Sequence, residues 1–170
     1  MHLKMNIMVK LTAYCDGSCY HKTRQGGIGV YITDGSQEWF ISRGFAPTTI
    51  SRMEGIALLT AIKAIDKTQE VEMDVYLDSE YTVKAFTEKW LTKWQMIQFQ
   101  GIKNYDMWLG IIKEIYKHPK LKLNFYHIRG HQKDLSDPHV FGNRVADLLA
   151  SYKNFDHFEP DNIEKILCQN

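Results

Sequence analysis

Hydrophobic and polar residues alternate along several segments of the chain, beginning with Val9–Asp16. Apolar side chains occupy every second position there, which is typical of a half-buried β-strand. Asp34-Gly35 is a hairpin-turn signal, so three antiparallel strands in meander order are expected around it. The pattern predicts five strands in all, over Val9–Asp16, Ile28–Thr33, Glu38–Phe45, Val71–Leu77 and Leu121–Ile128.

A helical period of apolar residues is clearest in Ser51–Asp66. The order of elements predicts an α/β fold, in which a mixed sheet of five strands is flanked by helices. Three of these strands form the antiparallel meander, and the other two are parallel. A polar loop, Gly130–Gly142, is expected before the last helix. The other helices are predicted over Ser79–Thr87, Lys89–Trp94, Tyr105–Lys117 and Asn143–Tyr152.

Length and composition restrict the class of protein. A chain of 170 residues suits one domain, and the net charge of +1 requires any basic nucleic-acid-binding surface to be local. Three cysteines without a CxxC pattern predict neither a disulfide framework nor a zinc site, so a reducing, cytoplasmic location is expected. No signal peptide or membrane span is visible, and no membrane partner is expected.

Four acidic residues occupy positions that local structure explains incompletely. Asp16 precedes Gly17 and could belong to a turn, and Asp78 could be the N-cap of the following helix. Glu54 fits a capping box with Ser51, which local sequence favours. The fourth, Asp147, lies among apolar residues of the last predicted helix, where an unpartnered carboxylate is costly.

The placement of the acids suggests a common site. If the strands that carry Asp16 and Asp78 are neighbours, these side chains can converge with Glu54 and Asp147 at one edge of the sheet. A cluster of carboxylate oxygens is the ligand set that Mg²⁺ or Mn²⁺ prefers. The sequence therefore predicts a divalent metal site.

Short motifs occur in an order that resembles the type 1 ribonuclease H family. They are Asp16-Gly17-Ser18-Cys19, Gly26-Gly27-Ile28-Gly29, Arg52-Met53-Glu54, Asp78-Ser79-Glu80-Tyr81, Arg129-Gly130-His131 and Gly142-Asn143-Arg144-Val145-Ala146-Asp147. The resemblance covers roughly residues 8–152. The extended loop Gln132–Phe141 is similar to that of some retroelement ribonucleases H.

The resemblance implies a catalytic domain over residues 1–152 and a C-terminal tail over 153–170, with a short helix near Ile163–Leu167. It implies a monomeric endonuclease that cuts the RNA strand of RNA–DNA hybrids and leaves 5′-phosphate and 3′-hydroxyl ends. Two Mg²⁺ ions, with Mn²⁺ as a substitute, would be held by the carboxylates. By resemblance, Asp16 bridges both ions, Asp147 serves the ion that activates water, and Glu54 and Asp78 serve the leaving-group side. His131 is implied as a mobile proton shuttle.

The resemblance also implies a set of substrate contacts. The chain departs from the family at three positions, where Lys22, Ile50 and Glu80 replace residues that are common in the family. These departures leave open a nuclease of the same fold that acts on DNA. A non-catalytic hybrid-binding module is the other alternative, although clustered negative charges do not help a protein to bind a polyanion. The predicted contacts are Ser18, Cys19, Lys22, Thr49, Ser51, Arg52, Glu80, Lys89, Lys93, Lys103 and Asn143.

Overall fold

A computed structural model describes residues 8–169 and contains one five-stranded sheet. In the spatial order β3-β2-β1-β4-β5, the meander strands pair antiparallel, whereas β4 pairs parallel with both β1 and β5. The predicted mixed sheet is therefore confirmed. Its strands are β1 (Val9–Tyr20), β2 (Gln25–Thr33), β3 (Glu38–Phe45), β4 (Val71–Leu77) and β5 (Leu121–His127).

Helices cover both faces of the sheet. Helix α1 packs on one face of β1 and β2 and lies between the sheet and α4, while α5 covers the opposite face. The bounds are α1 (Ile50–Lys63), α2 (Glu80–Thr87), α3 (Trp90–Met96), α4 (Tyr105–Tyr116), α5 (Pro138–Ala150) and α6 (Ile163–Cys168). None of the helices in residues 8–169 is long and apolar enough to cross a membrane.

The first strand is longer than its alternation predicts. It continues through Asp16 to Tyr20, because Ser18 and Cys19 pair with Gly27 and Gly26 of β2. Asp16 therefore lies within a strand, and the interpretation of Asp16-Gly17 as a turn is wrong.

The last helix begins earlier than predicted. Its N-cap is Asp137, whose Oδ1 accepts hydrogen bonds from the backbone N–H groups of His139 (2.7 Å) and Val140 (3.3 Å). Pro138 occupies the first helical position, where its fixed φ and missing N–H are tolerated. The predicted loop Gln132–Phe141 is consequently shorter, since its final residues are already helical.

A row of stacked aromatic rings crosses the sheet beneath α5, with one ring on each strand. Neighbouring ring centroids are 5.0 to 5.6 Å apart. His139 of α5 stacks on Tyr76, and its Nδ1 lies 3.0 Å from the Tyr14 hydroxyl. These contacts fix the first turn of α5 on the sheet. The row is Phe40, Tyr31, Tyr14, Tyr76 and Tyr126.

The segment after α5 packs against the body of the protein. The backbone of Glu159 pairs with Gly44 and Ala46 at the end of β3, and Ile163 and Ile166 of α6 are buried. A helix thus occupies the region predicted near Ile163–Leu167. The division of the chain at residue 152 stays a prediction.

Candidate active site

Two of the four acids lie side by side at the carboxyl edge of the sheet. Cys15 of β1 pairs with Leu77 of β4 in parallel register, and each is followed directly by an aspartate, Asp16 or Asp78. Asp78 is not a helix cap, because the Ser79 hydroxyl accepts the capping hydrogen bond from Thr82 N at 3.4 Å. Both aspartates are therefore available to a site at this edge.

Glu54 reaches the same edge from α1. The N-cap of this helix is Thr49, which makes no side-chain capping bond, and Ser51 lies inside the first turn. The capping-box interpretation of Ser51 and Glu54 is wrong, because the helix begins before Ser51. Gly17 permits the close approach, since a Cβ at that position would lie 2.5 Å from the Glu54 backbone N.

Asp147 comes to the site from the opposite face of the sheet. Its helix packs so closely on β2 that a Cβ at Gly29, the residue paired with Asp16, would collide with the carbonyl oxygen of Ala146. The Asp147 side chain is half-buried, and its Oδ2 accepts a 2.6 Å hydrogen bond from Arg144 Nη1. The Asp147 carboxylate therefore has a partner, although its neighbours in the sequence are apolar.

Burial and mutual repulsion alter the acidity of these carboxyl groups. Asp16 is 7 % exposed, and burial, followed by the nearby charge of Asp78, raises its pKa from 3.8 to about 8. Asp147 and Glu54 add smaller repulsive contributions to the pKa of Asp16. Burial is also the main reason why the pKa values of Glu54 and Asp78 are raised. The acids therefore act on one another electrostatically as one cluster.

A pocket opens beside this cluster and contains most of the predicted catalytic residues. His131, in the left-handed backbone region at φ +56°, is exposed at the pocket and lowers the pKa of Asp78. Glu54 does not line the pocket, although its charge contributes to raising the pKa of Asp16. The lining residues are Asp16, Asp78, Arg129, His131, Gln132, Val140, Asn143, Arg144 and Asp147.

Comparison with known proteins agrees with this architecture. The RNase H family model matches residues 8–154. The chain belongs to the ribonuclease H family. It is 32% identical over 151 residues to the ribonuclease H of Orientia tsutsugamushi, covering 86% of this chain and 82% of that protein.

Solved ribonucleases H share the fold. LC9-RNase H1, a type 1 RNase H with the type 2 active-site motif, superimposes with a TM-score of 0.68 at 22% identity, covering 85% of this chain and 71% of that one. LC11-RNase H1, solved in complex with an RNA/DNA hybrid, gives a TM-score of 0.58 at 22% identity, covering 82% and 93%. At this level of identity the likeness supports the fold.

Members of the ribonuclease H family depend on divalent metal ions in general, and the donor chemistry of this site fits such ions. The carboxylates supply only hard oxygen ligands, and the buried Asp16 makes no salt bridge among the described residues. A cation would relieve the repulsion that raises its pKa. Within residues 8–169, however, no three acidic, histidine or cysteine side chains are already arranged to hold an ion.

The raised pKa of Asp16 predicts a pH-dependent stability of the metal-free protein. An acid whose pKa is raised by folding stabilises the fold fully only below its ordinary pKa, and that contribution disappears as the pH rises through the folded value. The free energy of unfolding should therefore fall between about pH 4 and pH 8, by an amount on the order of a few kcal/mol from this group. Urea unfolding in EDTA at several pH values measures the effect.

The asparagine variant Asp16→Asn serves as the reference for that measurement, since other carboxyl groups titrate as well. The difference in unfolding free energy between wild type and variant should grow with pH and shrink when Mg²⁺ is added at pH 8. A difference that stays constant with pH would contradict the raised pKa of Asp16.

Several predicted substrate contacts are engaged inside the protein. Arg52 forms paired hydrogen bonds to Asp106 and Asp161 at 2.7 to 2.9 Å, which engage four of its five N–H donors. The Ser18 hydroxyl donates to the Ala150 carbonyl at 2.6 Å and accepts from Tyr152 N. Cys19 Sγ lies 3.7 Å from the Thr48 carbonyl. Ser18, Cys19 and Arg52 therefore contribute to the packing of the fold, and their contact with substrate stays a prediction.

The remaining predicted contacts have different environments. Lys89 is the N-cap of α3, Lys93 lies within that helix, and Lys103 lies before α4. All three are exposed and make no salt bridge among the described residues. Asn143 lies in the pocket, 6% exposed, and its Oδ1 has no hydrogen-bond partner within residues 8–169. Lys22 and Ser51 are exposed, and Glu80 pairs with Lys84 at 2.7 Å. Thr49 Oγ1 is buried and has no hydrogen-bond partner in the part of the chain that the structure describes.

Three polar residues of the pocket were absent from the predicted site: Arg129, Gln132 and Arg144. A sequence signal existed for Arg144, because residues three apart on a helix share a face and Asp147 is its neighbour at that spacing. Arg129 stands in the motif Arg129-Gly130-His131, whereas no comparable signal marks Gln132. The positions of both side chains depend on the loop after β5.

Proposed function

We propose that this ribonuclease H is an endonuclease that hydrolyses the RNA strand of RNA–DNA hybrids. Family membership gives the reaction class, and the structure of LC11-RNase H1 bound to an RNA/DNA hybrid supports the substrate. The observation that carries the proposal for this chain is the convergence of Asp16, Asp78 and Asp147 on one pocket, with Glu54 beside them.

The proposed chemistry assigns the carboxylates to metal binding. Asp16, Glu54, Asp78 and Asp147 would hold two Mg²⁺ ions, with Mn²⁺ as a substitute. Such ions, when bound, activate the attacking water and neutralise the leaving oxygen. Without a bound cation the carboxylates repel one another, which destabilises their charged forms. Binding of a cation relieves this repulsion and is therefore favoured. The products would carry 5′-phosphate and 3′-hydroxyl ends.

His131 is proposed as the residue that moves a proton. Its imidazole is exposed at the pocket and lies near enough to Asp78 to affect the pKa of that carboxyl group. An imidazole in this position can give a proton to the departing 3′ oxygen and recover it from solvent.

The proposed contacts with substrate divide by function. Lys89, Lys93 and Lys103 would bind phosphates, and their exposure predicts a binding affinity that falls with salt. In the pocket, the free Oδ1 of Asn143 can accept a hydrogen bond from a ribose 2′-hydroxyl, a donor that DNA lacks. Lys22, Thr49, Ser51 and Glu80 stay proposed as peripheral contacts.

We also propose that the protein acts as a monomer in the cytoplasm. Cys15, Cys19 and Cys168 are all free thiols in the structure, which suits a reducing compartment.

A cleavage assay with three duplexes tests the proposed function. Labelled RNA–DNA hybrid, duplex DNA and duplex RNA are incubated with the protein and Mg²⁺ or Mn²⁺, beside the variant Asp147→Asn. We expect cleavage of the RNA strand in the hybrid alone, and its loss in the variant, because the cluster then lacks one charged ligand.

Each other outcome identifies an alternative. Cleavage of DNA would indicate a DNA nuclease of the same fold, consistent with the departures at Lys22 and Glu80. Retained hybrid binding without cleavage would indicate a binding module. Full activity of Asp147→Asn would refute the four-carboxylate site.

A further inference from the structure

The salt bridge between Arg144 and Asp147 places a cation on one of the proposed metal ligands. Arg144 Nη1 lies 2.6 Å from Asp147 Oδ2, and both side chains line the pocket with Asp16 and Asp78. The two partners are accessible, since their side chains are 48% and 31% exposed. The pair can therefore open without disturbing the core.

Helix stability explains this pair poorly. Arg144 lies in the middle of α5 and Asp147 in its last turn, where the helix dipole disfavours a negative charge. The arginine also precedes the acid, which is the weaker orientation along a helix. Exposed pairs of this kind contribute little to folding. The guanidinium lies inside an acidic pocket, where its positive charge offsets part of the negative charge of the carboxylates.

We propose that Arg144 is an internal counter-ion that competes with divalent metal for Asp147. This inference rests on the proposed function, because it concerns the same carboxylate cluster. In the metal-free protein the guanidinium neutralises part of the negative charge of the cluster. It also keeps the Asp147 carboxylate turned towards Arg144. Metal binding then requires Asp147 to exchange the guanidinium for the ion.

One observation and one physical argument support the competition. The carboxylates of this pocket are close enough to shift one another's pKa, yet among residues 8–169 no three are arranged to hold an ion. In addition, a guanidinium and a divalent ion at one carboxylate repel each other strongly in a partly buried site. Arg144 is therefore a positioning residue that lowers the affinity of the free enzyme for metal.

Isothermal titration of the full chain with Mn²⁺, in the absence of nucleic acid, tests the proposal. The substitution Arg144→Gln should tighten Mn²⁺ binding roughly threefold to tenfold, since it removes both the competing bond and a positive charge. Arg144→Lys should change the affinity less, because it keeps the charge. Thermal unfolding of each variant verifies that it folds.

Arg129 offers a matched control, because it lines the same pocket and makes no salt bridge among the described residues. Arg129→Gln removes the same charge and should have the smaller effect. Combining Arg144→Gln with Asp147→Asn should abolish the gain in affinity, because the two substitutions remove the same interaction.

The outcomes separate this inference from the proposed function. If wild type binds Mn²⁺ and Arg144→Gln binds it equally well, the counter-ion role is refuted while the metal site stands. Equal gains from the Arg144 and Arg129 variants, or a gain that survives in the Asp147→Asn background, would also refute it. A wild-type protein that binds no Mn²⁺ would overturn both proposals.

Discussion

Replacing Asp16 with asparagine should lower cleavage of the RNA–DNA hybrid by at least about a hundredfold to a thousandfold, the scale on which one preorganised electrostatic group affects turnover. Asp16 is the most buried of the four acids and the one whose pKa depends on the other three. The same substitution should stabilise the metal-free protein above pH 7, because it removes a poorly solvated charge. Cleavage rates and urea unfolding in EDTA measure the two effects.

Opposite changes in activity and stability distinguish a catalytic ligand from a structural residue. The control is Asp74→Asn on β4, an acid outside the pocket whose Oδ1 accepts a hydrogen bond from Asn124 at 2.8 Å. An asparagine can retain that acceptor, so activity should stay near that of wild type. Loss of stability in Asp16→Asn together with loss of activity would mean that damage to the fold, rather than loss of metal binding, explains the defect.

Ending the chain at Tyr152 should reduce the free energy of unfolding by at least about 5 kcal/mol, which approaches the whole stability of many domains. The truncation removes the buried side chains of Ile163 and Ile166. It also leaves Arg52, with 15% of its side chain exposed, without the buried carboxylate of Asp161. Urea or thermal unfolding of the shortened chain checks the prediction, and we expect a broadened or absent transition.

Point substitutions locate the source of that effect. Asp161→Ala should lower the free energy of unfolding by roughly 3 to 5 kcal/mol, because the partly buried charge of Arg52 then loses one of its two carboxylate partners. Glu164→Gln is the matched control, since Glu164 is an exposed acid of the same segment with no salt bridge among the described residues. If the truncated chain unfolds like the full chain, residues 153–169 are a dispensable tail.

The sheet and most helices follow from local sequence because their signals are short-range. Alternation places β3 and β4 at their observed bounds, and helical periodicity identifies α1 and α4 to within a few residues. The start of α5 was missed, although Asp137-Pro138 is itself a helix-start signal, because the polar composition of the preceding segment favoured a loop.

Side-chain partners depended on contacts between distant parts of the chain. Arg52 and Ser18 lie in motifs that suggest substrate binding, yet their partners are distant in the sequence. Asp161 and Ala150 lie 109 and 132 positions away from Arg52 and Ser18, and Asp106 lies 54 positions from Arg52. The capping box failed because helix α1 begins at Ile50, with Thr49 as its N-cap, so that Ser51 already lies within the first turn.

By itself, the sequence determined the strand order along the chain, the family resemblance and the identity of the four acids, because strand and helix periods and motif spacing are properties of adjacent residues. The tertiary structure decided which polar groups are free. It assigned Arg52 to Asp106 and Asp161, left Asn143 open in the pocket, and placed Arg144 on Asp147. Hydrogen bonds and ion pairs depend on distances of a few ångströms between separate elements, and only the packed fold fixes those distances.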